Sequence, residues 1–467
     1  LFERDDLAGG TSSASSKLIH GGLRYLAQGA FRLVGESLRE REILLGRAPH
    51  LIRPLRFVIP HGPGMRPRAL MRLGLFLYDH LARRQRIPAS GTVELSRDPA
   101  GRPLAAAFKA GLFYYDCMVD DARLVATLAV DAAERGARIA TRAPVTRIAQ
   151  RGEAWEITAD TADGPVSVGA RALVNAAGPW CAEVTGLAQG AGHAPLLRLV
   201  RGTHIVVPRI AGAEDAYLLQ NADGRVVFAL PFEHRFTLIG TTEVPVRRPD
   251  DGFVPSDEET DYLLEAAGRF FARPPAADDI VWRFAGVRPL VEDGARTPSS
   301  VSRDYRLDLV QNGGAPPLLN VVGGKITTFR RLAEAALARL AAFFPGMGPA
   351  WTATAPLPGG DLGDGGVASF GADLVRRHPE LAEATLLRLA DLYGTRAERV
   401  LGDARRDADL GPGMGGGLTP REVLYLRDHE WARTPEDVLW RRTKAGLHIG
   451  AAELDRASAQ IAALLAA

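Results

Sequence analysis

Apolar positions recur at helical spacing along several stretches of the chain. Residues 30–47 place Phe31, Val34, Leu38 and Leu45 along one side, and Pro49 and Pro54 end the run. Residues 121–135 space Leu124, Leu128 and Ala132 four apart. Residues 256–271 open on Ser256 as an N-cap with acids in the first turn, and Pro274-Pro275 closes them. From Thr327 onward a long helix is predicted, carrying Leu332, Leu337, Leu340 and Phe344.

Between these lie short runs that alternate or stay apolar. They predict strands at 137–141, 145–149, 155–159 and 166–168, with Asp163-Gly164 as a hairpin turn. Residues 172–174 predict a buried strand ending in the loop Asn175-Ala176-Ala177-Gly178-Pro179-Trp180. Further strands are predicted at 203–207, 226–230, 236–240 and 318–322. Glycine-rich loops and helical runs after about residue 350 mark a separate helical domain, in which Thr434-Pro435-Glu436-Asp437 is a clean helix start. A helix, a meander and an apolar strand running into a Gly-containing loop indicate α/β organisation with ligand contacts at strand ends.

Composition narrows the class. The 467 residues are 46% hydrophobic and 24% charged with a net charge of +2, so no global nucleic-acid signature is present. Cys117 and Cys181 stand alone, without zinc spacing, and fit a reducing compartment. No apolar run reaches the roughly 18 residues of a spanning helix. Residues 65–87 combine Leu70, Leu73, Phe76, Leu77 and Leu81 with Arg66, Arg68, Arg72, Arg83, Arg84 and Arg86. A surface helix packed on the core and a membrane-surface segment are the two readings.

Candidate chemistry centres on residues 11–26, TSSASSKLIHGGLRYL, which follow a strand tail ending in acids. Small hydroxyl residues offer donors without bulk, Gly21-Gly22 permits close backbone approach to a ligand, and Arg24 and Tyr25 add a cation and a phenol. A second stretch, Gly323-Gly324-Lys325-Ile326-Thr327-Thr328, joins a strand to a helix start and suits an anion. Arg288 closes an apolar strand after Gly286, where a guanidinium can hold phosphate in a bidentate fork. Arg24, Arg288 and Lys325 are expected to converge on one doubly charged phosphate. His204, in an otherwise apolar strand, is either a satisfied core group or a site residue; the site reading is preferred.

These motifs, with the 114–124 stretch and VNAAGPW, RGTHIVVP, FTLIGTTE, AGVRPL, GGKITTFRRLAE and EWARTPEDVLWRRTKAGL, resemble FAD-dependent, quinone-linked glycerol-3-phosphate dehydrogenases over essentially the whole chain. The resemblance implies an α/β (α+β) fold: a Rossmann-like FAD-binding domain, a mostly antiparallel substrate-binding sheet domain and a C-terminal helical domain. The expected division gives FAD-binding segments at 1–48, 111–190 and 281–348. Substrate segments fall at 49–110 and 191–280, and the helical domain at 349–467. That family opens on a strand and a G-x-G-x-x-G turn cradling the FAD pyrophosphate. Leu1 falls after it, so a first βα unit of roughly 30 residues is expected to be missing, and with it a central strand and the main phosphate cradle.

By the same resemblance Glu3 would bind the adenosine ribose. Ser12, Ser13, Lys17, Leu18, His20, Gly21, Gly22 and Leu23 would run along the pyrophosphate and isoalloxazine. Val145 would lie near the adenine, with Ala176, Ala177, Gly178 and Trp180 beside the dinucleotide. Gly324, Lys325, Ile326 and Thr327 would turn over the flavin pyrimidine. Arg24, Tyr25, His204, Arg288, Lys325 and Thr327 would hold substrate; as a reading of the residues themselves, His204 is the preferred base. The implied reaction oxidises glycerol 3-phosphate to dihydroxyacetone phosphate, with ubiquinone or menaquinone as acceptor at the inner face of the cytoplasmic membrane. A homodimer is compatible with this, and no nucleic acid is expected. An oxygen-using oxidase and a non-catalytic binding protein of the same fold are the alternatives.

Overall fold

The protein is described by a computed structural model that covers every residue except 64, 190–193, 293–303 and 312–314. The expected boundary at 190/191, and parts of the expected 281–348 segment, lie outside the described residues.

A ten-stranded sheet dominates the described residues. Its path runs through Leu18–Ile19, Ala110–Val119, Ile52–His61, Ala216–Gln220, Val226–Phe232, Phe236–Gly240, Leu197–Pro208 and Val244–Val246. Gly91–Val93 joins Ala110–Val119, and Trp282–Val291 joins Leu197–Pro208. All these pairs are antiparallel except Ile52–His61 with Ala216–Gln220. The strand Ile52–His61 contains Pro54 and Pro60, yet only Phe57 and Val58 register with the parallel neighbour. The prolines therefore sit where no second ladder needs their N–H.

Two three-stranded sheets complete the α/β part. One is the predicted meander Val145–Arg151, Ala154–Thr161 and Gly164–Ala170. The other sets Leu318–Val322 parallel to Leu173–Asn175 and antiparallel to Arg306–Val310. The helices Phe31–Arg47, Asp121–Glu134 and Asp257–Gly268 fall where the periodicity put them. Ser256 and Glu259 form a reciprocal capping box. Beyond residue 350, helices including Gly366–Arg377, Glu383–Tyr393, Pro420–Glu430 and Ala451–Ala466 surround a core with Leu386, Leu418, Val423, Leu426 and Ile461.

Three expectations are corrected. Residues 137–141 supply one parallel bridge, Ala140 to Phe2, not a strand. The 172–174 strand is only half covered, with Val174 46% exposed, because Leu318–Val322 is its one partner among the described residues. The start at Thr434 holds, with its Oγ1 accepting from Asp437 N at 3.3 Å, and the turn runs on as the π-helical Asp437–Arg442. There the Asp437 carboxylate turns back to accept from the Arg433 and Thr434 N–H groups. In Arg68–His80 it is Leu75 and Tyr78 that reach the core. Of the expected apolar face, Leu70, Leu73, Phe76 and Leu77 are 55, 54, 50 and 39% exposed, and Leu81 alone packs against the core.

Candidate active site

His204 occupies the middle of Leu197–Pro208, between Gly240 and Phe284 on the flanking strands. Gly240 leaves room for it: a Cβ there would stand 2.1 Å from the imidazole. The Phe284 ring stacks on the other side at 5.0 Å between centroids. Ser16 Oγ lies 2.9 Å from Nε2. Burial first, then the nearby cations of Arg288 and Lys17, hold the imidazole well below its usual range, so it is neutral. His204 Nδ1 and Thr203 Oγ1 are buried with no hydrogen-bond partner in the protein. Buried polar atoms left open in this way suit a bound polar group.

Arg288 lies four residues beyond Phe284. Its Nη2 donates to Thr241 Oγ1 at 3.0 Å and its Nη1 to Thr242 O at 3.3 Å. The absent side chain of Gly202 makes space for it, since a Cβ would stand 2.5 Å from Nη2. The crossing stretch packs on this wall. Thr11 Oγ1 donates to Val287 O at 2.6 Å, and a Cβ on Gly286 would strike Ala14. Asp121, at the start of Asp121–Glu134, fastens the stretch: it accepts from Ser15 Oγ at 2.7 Å and Lys17 Nζ at 2.7 Å.

Arg24 and Tyr25 stand in the turn Leu23–Gln28. Arg24 Nη1 is 3.6 Å from Glu243 Oε1, and Glu243 directly follows the threonines that hold Arg288. The Tyr25 ring lies 5.1 Å below Lys325 Nζ. Lys325 also donates to Ser37 Oγ at 3.1 Å and His20 O at 3.4 Å. Thr327 Oγ1 accepts from His20 N at 3.1 Å. Gly323 and Gly324, at φ 76° and 105°, take left-handed conformations that turn Leu318–Val322 into this corner. Each of the three cations is thus engaged by protein groups: Arg288 by Thr241 and Thr242, Arg24 by Glu243, and Lys325 by Ser37, His20 and Tyr25.

The far end of the crossing stretch gathers the remaining predicted residues. Glu3 pairs through its backbone with Ala140 and Ala143. Phe2 and Val145 pack against Ile148 and Trp155. Arg4 sits 4.4 Å over the Trp180 ring, which also borders Gly10. Ala176 is exposed, and Gly178, at φ 55°, faces open space. Ser12 and Ser13 form a short turn, Thr11–Ser13, between this end and His204. Residues 11–25 therefore run from the Glu3–Trp180 end, past Arg288 and His204, to the Lys325 corner. That length of backbone, with the open Nδ1 and Oγ1 beside it, fits an elongated dinucleotide.

Some side chains play parts different from those read in the sequence. The space beside Gly21 is taken by the Tyr78 hydroxyl and Leu38, and that beside Gly22 by the Tyr25 ring, not by a ligand. The Lys17 ammonium is buried on Asp121 and Ser13 O, and its backbone is engaged too, the N–H by Ser15 Oγ and the carbonyl by Val119 N. Leu18 and Ile326 pack in cores, and Leu23 lies against the same cluster as Leu18. Sequence reasoning missed Ser37, Asp121, Thr241, Thr242, Glu243 and Phe284 as site neighbours. FTLIGTTE held the signal for three of them.

The family described as FAD dependent oxidoreductase matches residues 1–330, and the C-terminal domain of alpha-glycerophosphate oxidase matches 350–467. A glycerol-3-phosphate dehydrogenase of Pseudomonas aeruginosa is 49% identical over 452 residues, 96% of this chain and 87% of that protein. The D-erythritol 1-phosphate dehydrogenase of Brucella abortus is 47% identical over 97% of this chain and 90% of its own length. The aerobic glycerol-3-phosphate dehydrogenase of Escherichia coli is 43% identical over 98% of this chain and 91% of its own. The structure of the glycerol-3-phosphate dehydrogenase from Bacillus halodurans complexed with FAD aligns with a TM-score of 0.74 at 25% identity, covering 100% of this chain and 89% of that one. The chain belongs to the FAD-dependent oxidoreductases, in their glycerol-3-phosphate dehydrogenase and oxidase group.

Proposed function

We propose that the protein oxidises the secondary alcohol of glycerol 3-phosphate to the ketone of dihydroxyacetone phosphate, and that its electrons pass to a membrane quinone. The observation that carries the reading is the neutral, buried His204 beside Arg288, with a ring nitrogen open for a ligand. FAD, when bound, supplies the hydride acceptor. Ser12, Ser13 and the stretch 17–23, with Gly324 through Thr327, would hold it, and Glu3, Val145 and Ala176 through Trp180 would take its adenosine end.

His204 accepts the hydroxyl proton. A neutral imidazole can do so, and its depressed basicity makes the proton easy to pass on. Arg288 and Arg24 hold the phosphate, for which Glu243 keeps Arg24 in place until substrate arrives. Lys325, beside Tyr25 and Ser37, would offer a bound flavin a positive charge.

A four-carbon polyol phosphate is the second reading, because the Brucella relative, named for D-erythritol 1-phosphate, is nearly as similar as the glycerol-3-phosphate dehydrogenases. Both substrates share a terminal phosphate and a neighbouring secondary alcohol.

Membrane attachment is read from Arg68–His80. Leu70, Leu73, Phe76 and Leu77 stand exposed, and Arg66, Arg68, Arg83 and Arg86 are exposed beside them. Apolar residues rimmed by cations suit the surface of anionic lipid. No helix among the described residues is long and apolar enough to cross a membrane. Turnover of each polyol phosphate with a quinone analogue and with oxygen tests the reading. Faster reoxidation by quinone supports it, and equal or faster reoxidation by oxygen overturns the quinone assignment.

A further inference from the structure

One short segment of the helical domain, residues 437–448, reaches the site's supports at three points. Arg441 and Arg442 both pair with Asp6 at 2.8 Å, on the loop that feeds the crossing stretch. Lys444, 1% exposed, pairs with Asp120, which also caps the helix Asp121–Glu134 through Arg123 N. Trp440 lies 5.2 Å from Trp282, on the strand that carries Phe284 and Arg288.

Two of these contacts lead to His204. Asp120 adjoins Asp121, whose carboxylate grips Ser15 and Lys17, and Ser16 between them meets His204 Nε2. Trp282 packs on Phe284 at 4.6 Å, and Phe284 stacks on His204. The Lys17 ammonium lies 5.1 Å from the same Phe284 ring, so both routes close on one aromatic side chain. A domain serving only as an appendage would have no need of buried ion pairs at these places, since buried charges are costly unless paired.

We infer that residues 437–448 are a positioning element of the active site, and that Lys444 is the residue that holds 15–17, and through them His204, in register. Lys444 touches neither substrate nor cofactor; it acts through Asp120 and Asp121. The catalytic consequence rests on His204 being the base, whereas the ordering of 15–17 does not.

The test compares the natural flavoprotein with Lys444→Met and with the double variant Lys444→Met/Asp120→Asn, which leaves no unpaired buried charge and keeps a helix-capping side chain. Should the single variant fail to fold, the double variant carries the same test. Hydrogen exchange of amides 11–17 is expected to quicken by about tenfold while that of the helical core around Leu426 is unchanged. Flavin reduction per bound flavin is expected to slow by about fivefold or more, with substrate affinity within about twofold. Unchanged exchange in 11–17 overturns the inference, as does a normal reduction rate per flavin. If no polyol phosphate reduces the unmutated flavoprotein, the role of His204 falls, and the exchange result still decides the positioning claim by itself.

Discussion

Ser16 Oγ lies 2.9 Å from His204 Nε2, although 188 residues separate the two in sequence. The contact ties the donor-rich crossing stretch to the centre of the large sheet. It also settles which ring nitrogen is engaged by protein and which is left open, since Nδ1 has no partner. Replacing Ser16 by Ala should leave the fold intact and let the imidazole turn. Net hydrogen bonds of this kind are worth about 1 kcal/mol, so flavin reduction is expected to slow by about 3–10-fold. Rapid-mixing absorbance under anaerobic conditions measures it.

Gly202 gives access to Arg288 without touching it. A Cβ at 202 would stand 2.5 Å from Nη2 and 2.6 Å from Thr241 Oγ1. The guanidinium is the end of a long side chain and can give way, so Gly202→Ala should displace it at modest cost to stability. Substrate affinity is expected to fall by about tenfold, the scale of one charge-assisted hydrogen bond, with a smaller effect on the reduction rate. Titration of flavin reduction against substrate concentration separates the two.

Two buried histidines, His50 and His204, and the half-buried His20 set a pH dependence of folding. Burial first, then neighbouring cations, depress His20, His50 and His204, with His50 brought down to about 3. The unfolded chain takes up protons on these groups below about 6.5 while the folded chain does not. Their stabilising contribution is complete above that pH and is lost as pH falls towards the folded values. Each contributes a slope of up to about 1.4 kcal/mol per pH unit. Denaturant melts at pH 7 and at pH 5 should show lower stability at pH 5, and His50→Gln should flatten the difference.

The exposed face of Arg68–His80 makes a separable prediction. Leu73→Ser/Phe76→Ser removes two side chains that are 54 and 50% exposed and so costs little folding energy. Sedimentation with vesicles of anionic lipid at low salt should fall sharply for this variant. Flavin reduction by substrate in solution should be unchanged.

Helices were legible where local signals sufficed. Ser256 with Glu259, and the four-residue spacing of Leu124, Leu128 and Ala132, are written within single turns. Periodicity in 65–87 announced an amphipathic helix but not which side meets the core. Leu75 and Tyr78 took that place because Tyr78 reaches Asp116 and the gap at Gly21. The strand Ile52–His61 was hidden by its prolines, whose tolerance depends on neighbours distant in sequence. At the site, the crossing stretch, His204, Arg288 and Lys325 could be picked out as chemistry at glycines and strand ends. Asp121 read only as a helix start, and Lys444 only as part of a motif, since their partners lie 104 and 324 residues away.

Anaerobic mixing of the natural flavoprotein with glycerol 3-phosphate, beside its His204→Ala variant, tests the central claim most directly. The flavin of the unmutated protein should be bleached, and bleaching should slow by about 10²–10⁴-fold in the variant, the range of general-base catalysis. Bleaching at the same rate in both, or in neither with glycerol 3-phosphate or D-erythritol 1-phosphate, would contradict it.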